Sequence, residues 1–289
     1  MNILSRLTNR INTTRARVEN FSSAKQQLLS DPTVSAHEKA LLTKITLRVH
    51  PNDGMYQGDA YHYLSVGLSA IRCIEAALEK SNGGKSIQSI LDLPCGYGRV
   101  LRFLRAKFPH AETSIAEIDS DMLHFCRRTF FVNTIKSDTD FNRILLPNKF
   151  DLMWCGSLIT HINEAAALNL LRFFYNHLSP NGLCVFTTHG QFSVYSLQNQ
   201  TITYGLPIDG QNEVVAQFNE LGYGYSDYRN QHGCGISAVT HERISSIAHV
   251  RAIGRRYSLW NEGGTIIKTF MDTPCWLHPI EIPNQITVR

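Results

Sequence analysis

Residues able to do chemistry stand where apolar runs give way to turns. Ile90, Leu91 and Leu93 lead into Pro94-Cys95-Gly96-Tyr97-Gly98, and about 20 residues later the run from Thr113 ends in Glu117. Glycines at 96 and 98 let a backbone turn sharply and approach a ligand with no Cβ in the way, while a helix starting around Arg99 offers unpaired N–H groups. An acid at the tip of the next strand can accept both hydroxyls of a ribose. The spacing predicts a nucleotide-sized site, with Glu117 as its acid and Asp119 as the competing position. Further along, His161 follows an apolar run by about a turn, His189 ends another, and His232 lies in a Gly-rich loop. Histidine moves a proton near neutral pH, so these three are the candidates for acid–base work. Each could equally hold a loop by hydrogen bonds alone.

Missing residues narrow the nucleotide. A dinucleotide turn wants a third Gly or Ala where Leu101 stands, which argues against NAD and FAD. A phosphate-binding P-loop wants Lys and Ser or Thr after its last glycine, where Arg99 and Val100 stand, which argues against ATP hydrolysis.

The elements that must position these groups alternate as strand and helix. Apolar residues Ile90 to Leu93 predict a strand buried on both faces, followed by a helix, then strand Thr113 to Glu117 and a further helix to Phe131. Thr134 to Lys136 is a short third strand, leading to Ser137-Asp138-Thr139-Asp140. Phe150 to Cys155 is a fourth, followed by Gly156, Ser157 and His161. A helix spans Asn163 to Leu178, Pro180-Asn181-Gly182 turns the chain, and Leu183 to Thr188 is the fifth strand, ending at His189. Gly222 to Tyr228 and Gly235 to Val239 are the sixth and seventh strands, separated by a loop carrying His232, and Thr240 opens a helix. Upstream lie three helices: an amphipathic one through Ile3, Leu4, Leu7, Ile11 and Val18, one from the capping box Ser35–Glu38 to Leu47, and one from Asp59 to Lys80. Aromatic residues Tyr56, Tyr61 and Tyr63 cluster where the last of these begins, and suit either packing or a pocket wall.

Taken as a set, Asp92-x-x-x-Gly96-x-Gly98, the acid at 117, "FDL" at 150–152 and "LSPNGL" at 178–183 resemble the class I S-adenosylmethionine (SAM)-dependent methyltransferases. The resemblance covers about residues 86 to 190 and is nearest the type 12 group, whose members often accompany glycan or specialised-metabolite pathways. One departure stands out: Pro94 replaces the usual first glycine and has no N–H to offer. The resemblance implies an α/β fold with a doubly wound, mostly parallel seven-stranded sheet and an N-terminal helical cap. It implies SAM as cofactor, S-adenosylhomocysteine (SAH) as product, and no metal. It places Asp92, Pro94, Cys95, Gly96, Tyr97 and Gly98 at the methionine portion and Glu117 at the ribose, with Ile118 a further cofactor contact. Asp138, or else Asp140, lies on the adenine side, with Cys155 and Gly156 close to the cofactor. Tyr56, Tyr61 or Tyr63 would close over it, with Tyr61, Ser157 and His232 toward the substrate. In methyl transfer the protein aligns an in-line displacement and, for an alcohol, removes a proton. His161 is the expected base, and His189 a substrate ligand or alternate base.

Composition fits this reading. The chain has 289 residues, 43% hydrophobic and 18% charged, enough for one elaborated domain: a cap over 1–85, a cofactor core over 86–190, and 191–289 completing the same domain. A net charge of +4 without clustered bases argues against a nucleic-acid partner. Seven scattered cysteines with no C-x-x-C pair indicate neither disulfides nor zinc, and point to a reducing, cytoplasmic compartment. No apolar run is long enough for a membrane span. Residues 1 to 18, rich in Arg, read as an ordinary helix in preference to a transit peptide, and could pack on a second subunit. The expected acceptor is a small-molecule or sugar hydroxyl. Alternatives are N- or C-methylation of a specialised metabolite, or a non-catalytic partner protein of the same fold.

Overall fold

The computed structural model describes residues 3–81 and 86–249. Helices α1 (Ile3–Ser30), α2 (Ala36–Lys44) and α3 (Ala60–Lys80) come first. The side chains of Ile3, Leu4, Leu7 and Ile11 lie outside the described residues, and Val18 is exposed. The buried seam of α1 is instead Phe21, Ala24 and Leu28, at helical spacing. At the start of α2 the Glu38 amide donates to Ser35 Oγ at 3.3 Å and the Ser35 amide donates to the Glu38 carboxylate at 2.8 Å, the reciprocal pair the sequence predicts. The helix stops at Lys44, short of Leu47. Beyond it the carbonyls of Thr46 and Arg48 accept from the Arg102 guanidinium, at 2.7 and 3.3 Å, in place of a further helical turn. Helix α3 opens on Asp59, whose carboxylate accepts the His62 amide at 2.9 Å, and buries Tyr63, Leu64, Leu68, Ile71 and Ile74 along one face.

Strands β1 (Ser89–Asp92), β2 (Glu112–Glu117), β3 (Asn133–Lys136), β4 (Phe150–Cys155) and β5 (Leu178–Phe186) form one parallel sheet in the order β3-β2-β1-β4-β5. The crossovers run through α4 (Leu101–Lys107), α5 (Ser120–Phe130) and α6 (Glu164–His177). Side chains alternate between the faces, as the strand period of two requires. Ile90, Leu152, Trp154 and Val185 pack with α1 to α4, whereas Leu91, Met153, Cys155 and Phe186 pack with α6.

Two sequence expectations change here. Pro180-Asn181-Gly182 does not precede β5 but lies inside it, as an irregularity between Phe150 and Leu152 on the paired strand. A Cβ on Gly182 would stand 2.7 Å from the Phe150 carbonyl oxygen, so only glycine allows this close approach. The other change concerns the seven-stranded sheet. Strands β6 (Tyr223–Tyr228) and β7 (Gln231–Val239) pair antiparallel with each other as a separate two-stranded sheet. The Val239 amide donates to His189 O at 2.9 Å, but β5 has already ended at Phe186, so the ladder is not continued. His232 consequently sits on β7, next to a turn through Arg229 and Asn230, and not in a long loop.

Helices α7 (Gln191–Gln198) and α8 (Ile208–Leu221) fill a stretch for which the sequence reading gave no element. Pro207 before α8, Gly222 in the left-handed region after it (φ 75°), and buried Val214 and Phe218 between them are the signal that was available. Helix α9 (His241–His249) follows Thr240, whose Oγ1 accepts the Arg243 amide at 3.1 Å. Tyr257, Trp260, Trp276 and His278, considered as pocket walls, lie outside the described residues.

Candidate functional site

The glycine turn is built by the ends of β1 and β2. After a cis Leu93–Pro94 bond, the Cys95 amide donates to Ala116 O at 3.3 Å and the Gly98 amide to Cys95 O at 3.0 Å. Gly96 (φ 51°) and Gly98 (φ 83°) both take left-handed conformations. A Cβ on Gly96 would meet nothing within 4 Å, so that face of the turn is open. A Cβ on Gly98 would stand 2.4 Å from the Phe130 ring, so there the glycine admits the packing of α5. The thiols of Cys95 and Cys126 donate to Gly96 O at 3.3 and 3.4 Å, and the neighbouring Cys126 thiol, then burial, push the Cys95 thiol far up. Cys95 therefore fixes the turn as a neutral group. Tyr97 donates from its hydroxyl to Asp121 at 2.8 Å and stacks on His50 at 4.4 Å.

Two carboxyl groups flank the turn. Asp92 ends β1, is 1% exposed, and its Oδ2 has no hydrogen-bond partner among the described residues. Burial, and then the charge of Glu117, push its pKa well above the usual carboxylate range. Glu117 ends β2 and accepts the Gly96 amide at 3.0 Å on Oε2. Its Oε1 takes the Ile118 amide at 2.7 Å and, weakly, that of Asp119 at 3.4 Å. The competing acid Asp119 is committed elsewhere: it caps α5 through the amides of Asp121 and Met122. Ile118 is half exposed beside this acid. Ser137 follows β3 and donates its amide to Glu117 O at 3.0 Å, which brings Asp138 to the same end of the sheet. Asp140 caps a 3-10 turn (Phe141–Arg143), whereas Asp138 accepts only from its immediate neighbours Thr139 and Asp140 among the described contacts.

Past β4, Cys155 is buried and accepts the Thr187 amide at 3.1 Å through its carbonyl. Gly156 packs under the Trp154 ring, and the Ser157 amide donates to Thr187 Oγ1 at 2.7 Å. His161 ends a 3-10 turn (Ile159–His161), and its Nδ1 lies 2.9 Å from Gly235 O. Nδ1 of His189 lies 3.0 Å from Ser237 O. A carbonyl oxygen only accepts, so both Nδ1 atoms carry the hydrogen and both Nε2 atoms the lone pair. Residues 235 and 237 share one side of β7, and the two rings stand 6.5 Å apart by centroid. Burial lowers both pKa values; His189, 1% exposed and with its Nε2 unpartnered, falls to about 4. The hydroxyl of Tyr228, 3.2 Å from His161 Nδ1, shares that N–H, and Tyr204 packs against the His189 ring at 4.8 Å. Neither tyrosine was a sequence candidate, because both come to the histidines only through the folding of α8 and the hairpin.

Other candidates are engaged elsewhere. Tyr61 donates to Asp31 at 3.0 Å, joining α3 to the loop after α1. Tyr63 is fully buried and donates to Asp53 at 2.7 Å, and Tyr56 packs on Phe21. These rings are part of the helical packing. His232 is fully exposed and lies 3.6 Å from Asp227 on the hairpin. No cluster of three or more His, Cys, Asp or Glu among the described residues could hold a metal ion, and no helix among them is long and apolar enough to cross a membrane.

Residues 90–182 match a family model described as "Methyltransferase domain". A malonyl-[acyl-carrier protein] O-methyltransferase of Bacillus anthracis is 25% identical over 130 residues, 45% of this chain and 48% of that protein. The chain thus spans about half the length of this curated relative. Among solved structures, a SAM-dependent methyltransferase from Clostridium acetobutylicum is 17% identical, with TM-score 0.41, over 66% of this chain and 79% of that one. A sugar N-methyltransferase from Streptoalloteichus is 22% identical, with TM-score 0.38, over 48% and 53%. The match to a methyltransferase domain thus covers residues 90–182, about a third of the chain, which hold the glycine turn, Glu117 and strands β2 to β4.

Proposed function

We propose that this protein binds SAM at the carboxyl ends of β1 and β2 and methylates a hydroxyl of a small molecule or sugar, releasing SAH. The observation that supports this most is the unpartnered, buried Oδ2 of Asp92 beside the open face of Gly96. Such an atom fits a ligand carrying cationic groups, because a buried acceptor without a partner costs about 1–3 kcal/mol that a bound donor restores. Bound there, SAM would supply a methyl group made electrophilic by its sulfonium. Asp92 and the turn at 94–98 hold the methionine portion, with Pro94 contributing no N–H. Glu117 keeps acceptor capacity on Oε2, and on Oε1 once the long Asp119 contact is given up, for the ribose hydroxyls. Ile118 and Asp138 lie on the adenine side, and Cys155 and Gly156 border the cofactor.

His161 is the base in this reading. Its Nε2 holds the lone pair, and burial keeps the ring neutral through neutral pH. As the new carbon–oxygen bond forms, the proton of the acceptor hydroxyl passes to that Nε2. His189, with a pKa near 4, is too weak a base to share this task well and instead accepts at its free Nε2 a hydrogen bond from a second polar hydrogen of the acceptor. Ser157 is a further acceptor contact. Helices α1 to α3 act as a cap over residues 1–85, and 191–289 complete the domain on the acceptor side. The six cysteines among the described residues are all free, which suits a reducing compartment such as the cytoplasm.

The test is calorimetric titration of SAH into the wild type and Glu117→Ala, with NAD as control, followed by acceptor screening with labelled SAM and product mass analysis. Micromolar SAH binding weakened by the substitution supports the cofactor reading, and no binding overturns it. Loss of turnover in His161→Ala with unchanged SAH affinity supports the base; an unaltered rate removes it.

A further inference from the structure

Arg102 is the largest fully buried side chain among the described residues, 1% exposed on α4, and no carboxylate touches it. Its Nε donates to Gly98 O at 3.2 Å, inside the glycine turn. Nη1 donates to Thr46 O at 2.7 Å and Arg48 O at 3.3 Å, and Nη2 to the Tyr63 hydroxyl at 3.3 Å. Tyr63 passes its own proton toward the buried Asp53, so the cation is balanced across one hydroxyl. Only a planar fork reaches three carbonyls and a hydroxyl at once; a lysine keeps the charge but not the directions. A second tie runs parallel to the first. His50 lies face to face on Tyr97 of the turn, with 5° between ring planes, and its carbonyl accepts from Arg17 of α1 at 2.7 Å. A buried cation without a carboxylate is costly, and here it is held by main-chain carbonyls from two distant stretches of chain.

We propose that Arg102 is a positioning residue that locks the segment 46–53 to the glycine turn, so that occupancy of the turn and ordering of that segment are coupled. The proposal rests on the reading of the turn as the cofactor site. Coupling between binding sites and segments is reciprocal: if the docked segment shapes the turn, ligand on the turn must hold the segment.

Amide hydrogen exchange with and without saturating SAH tests this, in the wild type, Arg102→Lys and Leu171→Ala. Leu171 is a buried residue of α6 on the opposite face of the sheet and serves as a variant that loses stability without touching the tie. SAH should slow exchange over 46–53 roughly tenfold in the wild type and in Leu171→Ala, and less than about twofold in Arg102→Lys, whose SAH affinity falls roughly tenfold. Tyr63→Phe, which removes only a hydroxyl, should lose part of the effect and serves if Arg102→Lys does not fold. Unchanged exchange over 46–53 in the wild type, or full protection retained in both Arg102→Lys and Tyr63→Phe, overturns the proposal. Should calorimetry show no SAH binding, the cofactor reading fails and the ligand-free arm decides. Arg102→Lys must then speed exchange at 46–50 and at 96–98 together, relative to Leu171→Ala; acceleration of neither or only one stretch overturns the tie.

Discussion

Acid should loosen this protein through His189 in a way that one substitution removes. The ring is buried, donates from Nδ1 to Ser237 O at 3.0 Å, and has no partner on Nε2. Protonation would put a charge on that nitrogen with nothing to receive it, and the neighbouring His161 adds to the cost, so the folded pKa drops from 6.5 to about 4. An unfolded histidine titrates near ~6.5. Between these values the unfolded chain holds a proton that the folded chain refuses. Stability is therefore complete above the unfolded value and falls as the pH drops toward the folded one. At about 1.4 kcal/mol per pH unit, the whole window corresponds to about 3 kcal/mol, a large share of the 5–15 kcal/mol of a typical domain. His189→Asn keeps an amide donor for Ser237 O and does not titrate. Urea unfolding of both proteins at about pH 7 and about pH 4.5 isolates the effect, since every other group is shared. The wild type should lose about 2–3 kcal/mol more than the variant over that interval. Equal losses would mean that His189 is solvated or partnered in solution, and would refute the reasoning.

Three further outcomes follow from the site. Gly98→Ala places a methyl 2.4 Å from the Phe130 ring at φ 83°, and should lower stability by about 1–3 kcal/mol in thermal unfolding while abolishing SAH binding. Glu117→Gln removes the charge that takes the Gly96 amide and that raises the Asp92 pKa; calorimetry should show SAH binding weaker by about 10- to 100-fold. Asp59→Ala removes the α3 cap on the His62 amide and should cost about 1 kcal/mol in urea unfolding, leaving SAH affinity unchanged.

The parallel sheet was legible because each strand is a run of apolar residues ended by turn chemistry, and the capping box at Ser35 announces α2 in the same way. The glycines at 96 and 98 were legible for a related reason: a turn that needs positive φ at those positions favours glycine. What depends on tertiary contact could not be read. The aromatic cluster at 56–63 looks the same in a sequence whether it lines a pocket or packs under Phe21, and only the partners Asp31 and Asp53 decide. Nothing local in the sequence marks three carbonyls from outside α4 as the destination of Arg102. The tautomers of His161 and His189 were equally hidden, because the carbonyls that set them come from residues 235 and 237.

The seam between the hairpin and the parallel sheet buries Tyr223 and Val239 in the α6-side core but carries no continuous ladder, only single polar contacts: Val239 to His189, Ser237 to Ile159, Tyr223 to Ile162, and the two histidines to β7. Helices α7 and α8 meanwhile build a small core of their own with Ile236 and Ala238. A joint of this kind separates at lower free energy than a buried ladder, so the hairpin lobe breathes as a unit while β1 and β4 stay closed. Amides of β7 should accordingly exchange in a common, faster class than those of β4. In a turnover experiment this lobe, and not the cofactor turn, would set how quickly a bulky methylated product escapes.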